Sequence, residues 1–335
     1  MPKLYLHVGF PKTATTTIQN FLANNDKALA EKGWLYPKSG RQYVAHHTLG
    51  NFFRPVLLDW IPKKDPSKVK ADLLAELEKS GCDNVIMSTE ALVSVPWIKK
   101  VRDYFDDFDV SVVFFLRRQD QWLESAYQEE LKNGPDVHTK EEYLALREHA
   151  LDYLKKLTDW GNVFGNDHMH ITVFEKGDEQ QPVERQFLES IGAPFSEEFT
   201  PPQLQNSRLN RDCLAFFTMM KEQRRIGPRL KLYKDILGEY SAKHPDPKEW
   251  KYFWSPQERS ALLEKYEEAN AEVAKTFLGR SDGQLFQGPP VSLDEAWEPY
   301  PGLTAEKAVE IGEYLAKGLY DKLHSSKKRP VGRRR

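Results

Sequence analysis

The amino-acid sequence predicts a three-layer α/β fold: a central, roughly five-stranded parallel sheet followed by a helical C-terminal half. Five short apolar runs read as strands, namely Leu4–Val8, Trp34–Tyr36, Asn84–Ser88, Val110–Leu116 and His170–Phe174. Stretches of helical periodicity lie between them, and that alternation calls for parallel strands covered on both sides. After about Pro194 the strand signal stops and the chain becomes helical and loop-rich.

Each element has its own signature. The run Val110-Ser-Val-Val-Phe-Phe-Leu116 is β-branched and aromatic almost throughout, as a strand buried on both faces should be. Ile18, Phe21 and Leu22 share one helical face after the first strand; Val69, Leu73, Leu74 and Leu77 do so before the third, and Trp122, Leu123, Tyr127 and Leu131 after the fourth. Ser255-Pro-Gln-Glu258 is a capping box with proline at the first helical position. It is expected to open one long helix whose stripe runs Leu262, Leu263, Tyr266, Ala269, Val273, Phe277. A further helix is expected from Thr304 to about Leu323, after a Gly- and Pro-rich connection over Gly279–Pro301. One domain over 1–325 is the simplest organisation, with 1–194 as α/β core and 195–325 as its mainly helical part.

The formal net charge of −2 excludes a globally basic nucleic-acid binder. Six of the basic residues crowd into Lys327–Arg335, so 326–335 reads as a disordered basic tail. Two cysteines, Cys82 and Cys213, make neither a disulfide framework nor a metal cluster, and fit a reduced compartment. No apolar run has the length of a membrane span, and the N-terminus enters a strand without a secretory apolar region, so a cytoplasmic protein is expected.

The most informative stretch is Leu6-His-Val-Gly-Phe-Pro-Lys-Thr-Ala-Thr-Thr-Thr-Ile18. A strand ends at Gly9, a tight loop follows, and a helix begins near Thr15. Backbone amides at a helix N-terminus make an anion site, to which Lys12 adds charge and the threonines add hydroxyl donors. The ATP/GTP pattern Gly-x-x-x-x-Gly-Lys-Ser/Thr is broken, because Ala14 and Thr15 stand where its second glycine and lysine belong. A second cluster closes the fourth strand: Arg117 and Arg118 lie at the edge where α/β ligands bind, and Ser125 follows Arg117 by eight residues in the next helix. Arginine offers a bidentate fork to a phosphate, and serine a hydroxyl donor.

Together these motifs resemble those of sulfotransferases that use 3′-phosphoadenosine 5′-phosphosulfate (PAPS). Gly-x-Pro-Lys-Thr-x-Thr-Thr is similar to their 5′-phosphosulfate loop, and the arginine–serine pair to their 3′-phosphate element; the likeness covers roughly residues 4–130. Beyond that span the likeness is weaker, though Phe253-Trp-Ser-Pro-Gln-Glu-Arg and Tyr266-Glu-Glu-Ala-Asn270 look like C-terminal helices of bacterial carbohydrate-sulfotransferase-like proteins. The resemblance implies a P-loop-type fold and a nucleotide-binding core. It implies donor contacts from Pro11, Lys12, Thr13, Ala14, Thr15, Thr16, Thr17, Arg117 and Ser125, with Arg118 as the register alternative to Arg117. Ala14 replaces the family's usual glycine, and because alanine tolerates positive φ poorly a left-handed turn is not expected there.

The implied reaction is transfer of a sulfuryl group to an acceptor hydroxyl, leaving the product 3′-phosphoadenosine 5′-phosphate (PAP). No metal is expected, since Lys12 and backbone donors can meet the charge on the departing phosphate. Glu90, directly after the third strand, is the favoured base, its pKa open to a rise by burial or a fall beside Lys12. His46 and His47 are the runners-up. Trp34, Tyr36, Tyr43 and Trp97 are suited to stack sugars, which favours a saccharide acceptor, and Asn206 and Arg208 are candidate contacts. An atypical P-loop kinase or NTPase, and a catalytically silent nucleotide- or glycan-binding protein, are the competing readings. The oligomeric state is left open.

Overall fold

The computed structural model describes residues 1–134, 136–175, 181–202, 208–223 and 230–325. All five expected strands form: β1 (Lys3–His7), β2 (Trp34–Leu35), β3 (Asn84–Ser88), β4 (Asp109–Leu116) and β5 (Met169–Val173). They pair in parallel in the order β2-β3-β1-β4-β5. The helices of the first part of the chain are α1 (Thr15–Asn24), α2 (Asp26–Glu31), α3 (Pro66–Ser80), α4 (Ile98–Tyr104), α5 (Gln119–Asn133), α6 (Lys140–Arg147), α7 (Tyr153–Phe164) and α8 (Val183–Ser190). Those of the second part are α9 (Arg211–Glu222), α10 (Leu230–Lys243), α11 (Pro256–Lys265), α12 (Glu267–Leu278) and α13 (Ala305–Ser325).

The chain forms two compact units. The first comprises Met1–Trp122, Glu148–Leu204 and Leu262–Pro289 and holds the sheet. Strand alternation builds its two apolar layers. Leu4, Leu6, Val85, Met87, Val112 and Phe114 face Leu73 of α3, Val101 of α4, Trp160 of α7 and Val273 of α12. Tyr5, Ile86, Val113 and Phe115 face Ile18, Phe21 and Leu22 of α1, Leu29 of α2 and Phe187 of α8. This is the three-layer α/β arrangement around a five-stranded parallel sheet that the alternating pattern predicts. Because β1 is central, the carboxyl ends of β1, β3 and β4 lie side by side, with His7 in register with both Ser88 and Val113. The segment after each of these strands therefore emerges at one edge, where open parallel sheets bind ligands.

The second unit comprises Leu123–Arg147, Gln205–Ala261 and Pro290–Arg335. Here α10 and α13 approach closely at Gly318, where an added Cβ would stand 2.7 Å from Ile236 Cγ2. Buried Glu124 accepts the backbone N–H groups of Phe253 and Trp254, while burial lifts its carboxyl to about 7. Arg211 lies over the Phe253 ring at 3.6 Å.

The expected long helix is two. The capping box forms, Ser255 N–H to Glu258 Oε2 at 2.7 Å and Glu258 N–H to Ser255 Oγ at 3.2 Å. The helix nevertheless breaks at Tyr266, whose φ and ψ are −106° and 7°. Its amide turns back to Leu263 O, and its hydroxyl donates to Glu148 O at 3.2 Å, so tertiary anchoring overrides a continuous stripe. The basic tail 326–335 and Asn206 lie outside the described residues; Arg208, in the second unit, donates to Lys251 O. No helix among the described residues is long and apolar enough to cross a membrane.

Candidate active site

The loop after β1 is shaped by three left-handed residues, Gly9 (φ 50°), Lys12 (φ 69°) and Ala14 (φ 61°). Left-handed residues spaced among right-handed ones curl successive amides toward a common centre, the concavity that anion sites use. Side chains take up the loop carbonyls. Thr13 Oγ1 donates to Phe10 O at 2.5 Å, Trp122 Nε1 to Pro11 O at 2.7 Å, and Arg117 Nη1 to Lys12 O at 3.0 Å. At the start of α1, Ala14 is the N-cap and gives no side-chain cap, so the first-turn amides and helix dipole are not covered by a carboxylate or hydroxyl of that residue. Gly9 is required on two counts: its φ is left-handed, and an added Cβ would stand 2.8 Å from Thr15 Cγ2.

Glu90 stands directly beyond β3, as the first residue of a short 3-10 turn Glu90–Leu92 capped by the Thr89 hydroxyl. Its carboxylate faces α1: Thr15 Oγ1 donates to Oε1 at 2.7 Å and Gln19 Nε2 to Oε2 at 3.1 Å. Gln19 also donates to Ser88 Oγ at 3.2 Å, and Ser88 Oγ pairs with His7 Nδ1 at 2.8 Å. Burial alone would raise the Glu90 pKa. Hydrogen bonds from Thr15, its own backbone N–H and Gln19, with the nearby His47, outweigh it and hold the carboxyl below its ordinary value. Glu90 is therefore an ionised acceptor at neutral pH. Buried His7 is pushed down to about 4 and is neutral there; its Nε2 has no hydrogen-bond partner among the described residues.

The two histidines that the sequence leaves level are separated by their partners. His46 is fully buried, accepts the Ser88 N–H on Nδ1 and donates from Nε2 to Pro37 O at 2.9 Å. Both nitrogens are committed, so His46 ties its loop to β3 and is withdrawn as a base candidate. His47 is half-buried in the 3-10 turn His47–Asn51, with Nδ1 2.9 Å from Thr89 Oγ1 and its ring against Trp60 at 5.1 Å. Burial lowers its pKa, partly offset by the Glu90 charge, so His47 too is neutral near pH 7. The two turns meet because Gly50 has no side chain: an added Cβ would stand 2.4 Å from Ala91 Cβ. Arg54 bridges them, donating to Gly50 O and to Ala91 O.

No protein-family model matches this sequence. An uncharacterised protein of Archaeoglobus fulgidus is 23% identical over 231 residues, a match spanning 68% of this chain but only 62% of that relative. Among solved structures, the chain is similar to a sulfotransferase from Alicyclobacillus acidocaldarius, with 15% identity, a TM-score of 0.43, and cover of 68% of this chain and 94% of that one. It is also similar to the sulfotransferase domain from the curacin biosynthetic pathway, with 11% identity, a TM-score of 0.35, and cover of 79% and 97% respectively.

The structure brings Lys12, Thr15, Glu90, His47 and Arg117 to the same sheet edge. Arg118 is occupied elsewhere, with a two-point ion pair to buried Asp120 and a bond to Pro289 O at 2.6 Å. Ser125 is half-buried on α5, within the second unit. Of the loop threonines, Thr13 and Thr15 are buried with their hydroxyls on Phe10 O and Glu90, Thr17 is half-buried and Thr16 exposed. Two of the expected sugar-stacking aromatics are core residues: Trp34 packs on Tyr5, and the Tyr36 hydroxyl donates to Val44 O. Trp97 is half-buried under Lys100, whereas Tyr43 is 91% exposed and Trp60, which the sequence pattern did not single out, 54% exposed. Gln19 was also missed; its only sequence signal is polarity at the fourth residue past Thr15.

Ala14 is left-handed after all, with φ 61° and ψ 21°. The loop imposes a conformation that glycine would take without strain, and the alanine carries the steric cost. Ala14→Gly is accordingly expected to stabilise the protein by about 0.5–1 kcal/mol, measured as a raised denaturation midpoint at unchanged slope. A lowered midpoint would mean that the methyl is held by contacts worth more than the strain.

Proposed function

We propose that this chain is a PAPS-dependent sulfotransferase that moves a sulfuryl group to an acceptor hydroxyl on a carbohydrate. The observation that carries this reading is the loop itself. Its carbonyls are drawn off by Thr13, Trp122 and Arg117, it holds Lys12 at its bend, and it opens beside the ionised Glu90. Such a concavity, with three left-handed residues at Gly9, Lys12 and Ala14, suits a phosphosulfate. The donor supplies the sulfuryl group and a phosphate leaving group. The protein supplies charge stabilisation from Lys12 and the α1 amides, and a carboxylate to take the hydroxyl proton. No metal is needed in this scheme. Arg117 is favoured over Arg118 for the 3′-phosphate, because Arg118 is paired with Asp120; Ser125 enters the reading from its spacing in the sequence. Exposed Tyr43 and Trp60, the latter edge-on to His47, support a saccharide acceptor through ring stacking.

Titration calorimetry of PAP against ATP and ADP tests the donor. PAP is expected to bind tightest, and Lys12→Ala and Arg117→Ala are each expected to weaken it about tenfold or more. Tight ATP binding with indifference to the 3′-phosphate would move the protein to the kinase class.

A further inference from the structure

We propose that Thr15 and Gln19 are positioning residues for Glu90, and that Thr15 serves this carboxylate and not a phosphate of the donor. The inference deepens the sulfotransferase reading and rests on it for the role of Glu90. Thr15 and Gln19 are four apart, on one face of α1, and each holds a different carboxylate oxygen. A threonine has one hydroxyl proton, so Thr15 cannot donate to Glu90 and to a phosphate at once. Its rotamer is fixed by packing: the residue is 3% exposed, and its methyl fills the space that Gly9 leaves open. Gln19 is anchored in turn, its other amide hydrogen on Ser88 Oγ, which His7 holds from β1. The clamp is thus built on three elements, α1, β1 and the end of β3.

The clamp fixes both aim and charge. The titratable groups facing Glu90 are His7 on β1, His47 on the 3-10 turn and Tyr36 after β2. Both histidines are pushed below their ordinary values by burial, so neutral donors, more than a protonated partner, keep the carboxylate ionised.

The experiment is carboxyl-carbon NMR titration of Glu90, assigned with Glu90→Gln, in the wild-type protein and in Thr15→Val, Thr15→Ser and Gln19→Leu, with PAP affinity measured in parallel. Thr15→Val and Gln19→Leu are expected to move the Glu90 midpoint to higher pH. Thr15→Ser, which keeps the hydroxyl, should restore it. PAP affinity should stay within about twofold, while transfer falls about tenfold or more and its acid limb moves up with the Glu90 midpoint. A Glu90 midpoint unmoved in Thr15→Val together with lost PAP affinity would overturn the proposal and return Thr15 to the phosphate. Failure of the wild-type protein to bind PAP would instead count against the sulfotransferase reading, with the NMR titration still deciding the clamp.

Discussion

Glu90→Gln is expected to bind PAP within about twofold of wild type and to lose transfer by about 10²–10⁴-fold, the usual worth of a positioned base. The substitution keeps the side chain's shape and removes its charge and basicity. Thr15 can still donate to the amide oxygen, so the loop beside it should hold its form. The pH profile gives an independent reading. Glu90 titrates below the ordinary carboxylate value, so wild-type transfer should persist through mildly acidic pH and fail only as pH drops through that lowered pKa. The same linkage has a stability consequence with the same sign: the clamp's contribution is present above the unfolded-state pKa and lost as pH falls through the folded one. Retained transfer in Glu90→Gln, with loss in His47→Gln, would make His47 the base. Its Nδ1 is already held by Thr89, which would leave Nε2 to act.

Gly9→Ala should have the largest effect on stability, about 2–4 kcal/mol, with PAP binding lost from the folded fraction. Two costs add: a left-handed φ of 50° for a residue with a Cβ, and a 2.8 Å approach to Thr15 Cγ2. Thr15 cannot yield freely, because its hydroxyl is bonded to Glu90. The contrast with Ala14→Gly is direct, since glycine and alanine exchange in the same loop with opposite expected signs. Denaturant midpoints of the two variants, with calorimetry of PAP binding, read both. An unchanged midpoint in Gly9→Ala would mean that the loop does not need its left-handed turn at residue 9.

The sequence by itself determined the sheet, the loop and the candidate carboxylate. Alternating apolar runs placed the strands to within a residue or two, because the face a side chain takes in a parallel strand is set by local period. The loop after β1 and Glu90 were legible for a related reason: in such a sheet, whatever follows a central strand arrives at the ligand edge. What only the tertiary structure decided were partners distant in the chain. The Thr15 hydroxyl goes to Glu90, 75 residues away, and the Arg117 guanidinium to Lys12 O, 105 residues away. His46 is buried and tied to β3 while its neighbour His47 faces Thr89. Trp34 and Tyr36 go to the core while Tyr43 and Trp60 stay exposed. Ala14 takes a conformation its type disfavours, because the carbonyls before it are held by Trp122 and Arg117. Period and propensity report how a residue prefers to sit; which proton goes to which acceptor depends on strand register and packing, and these exist only once the sheet has formed.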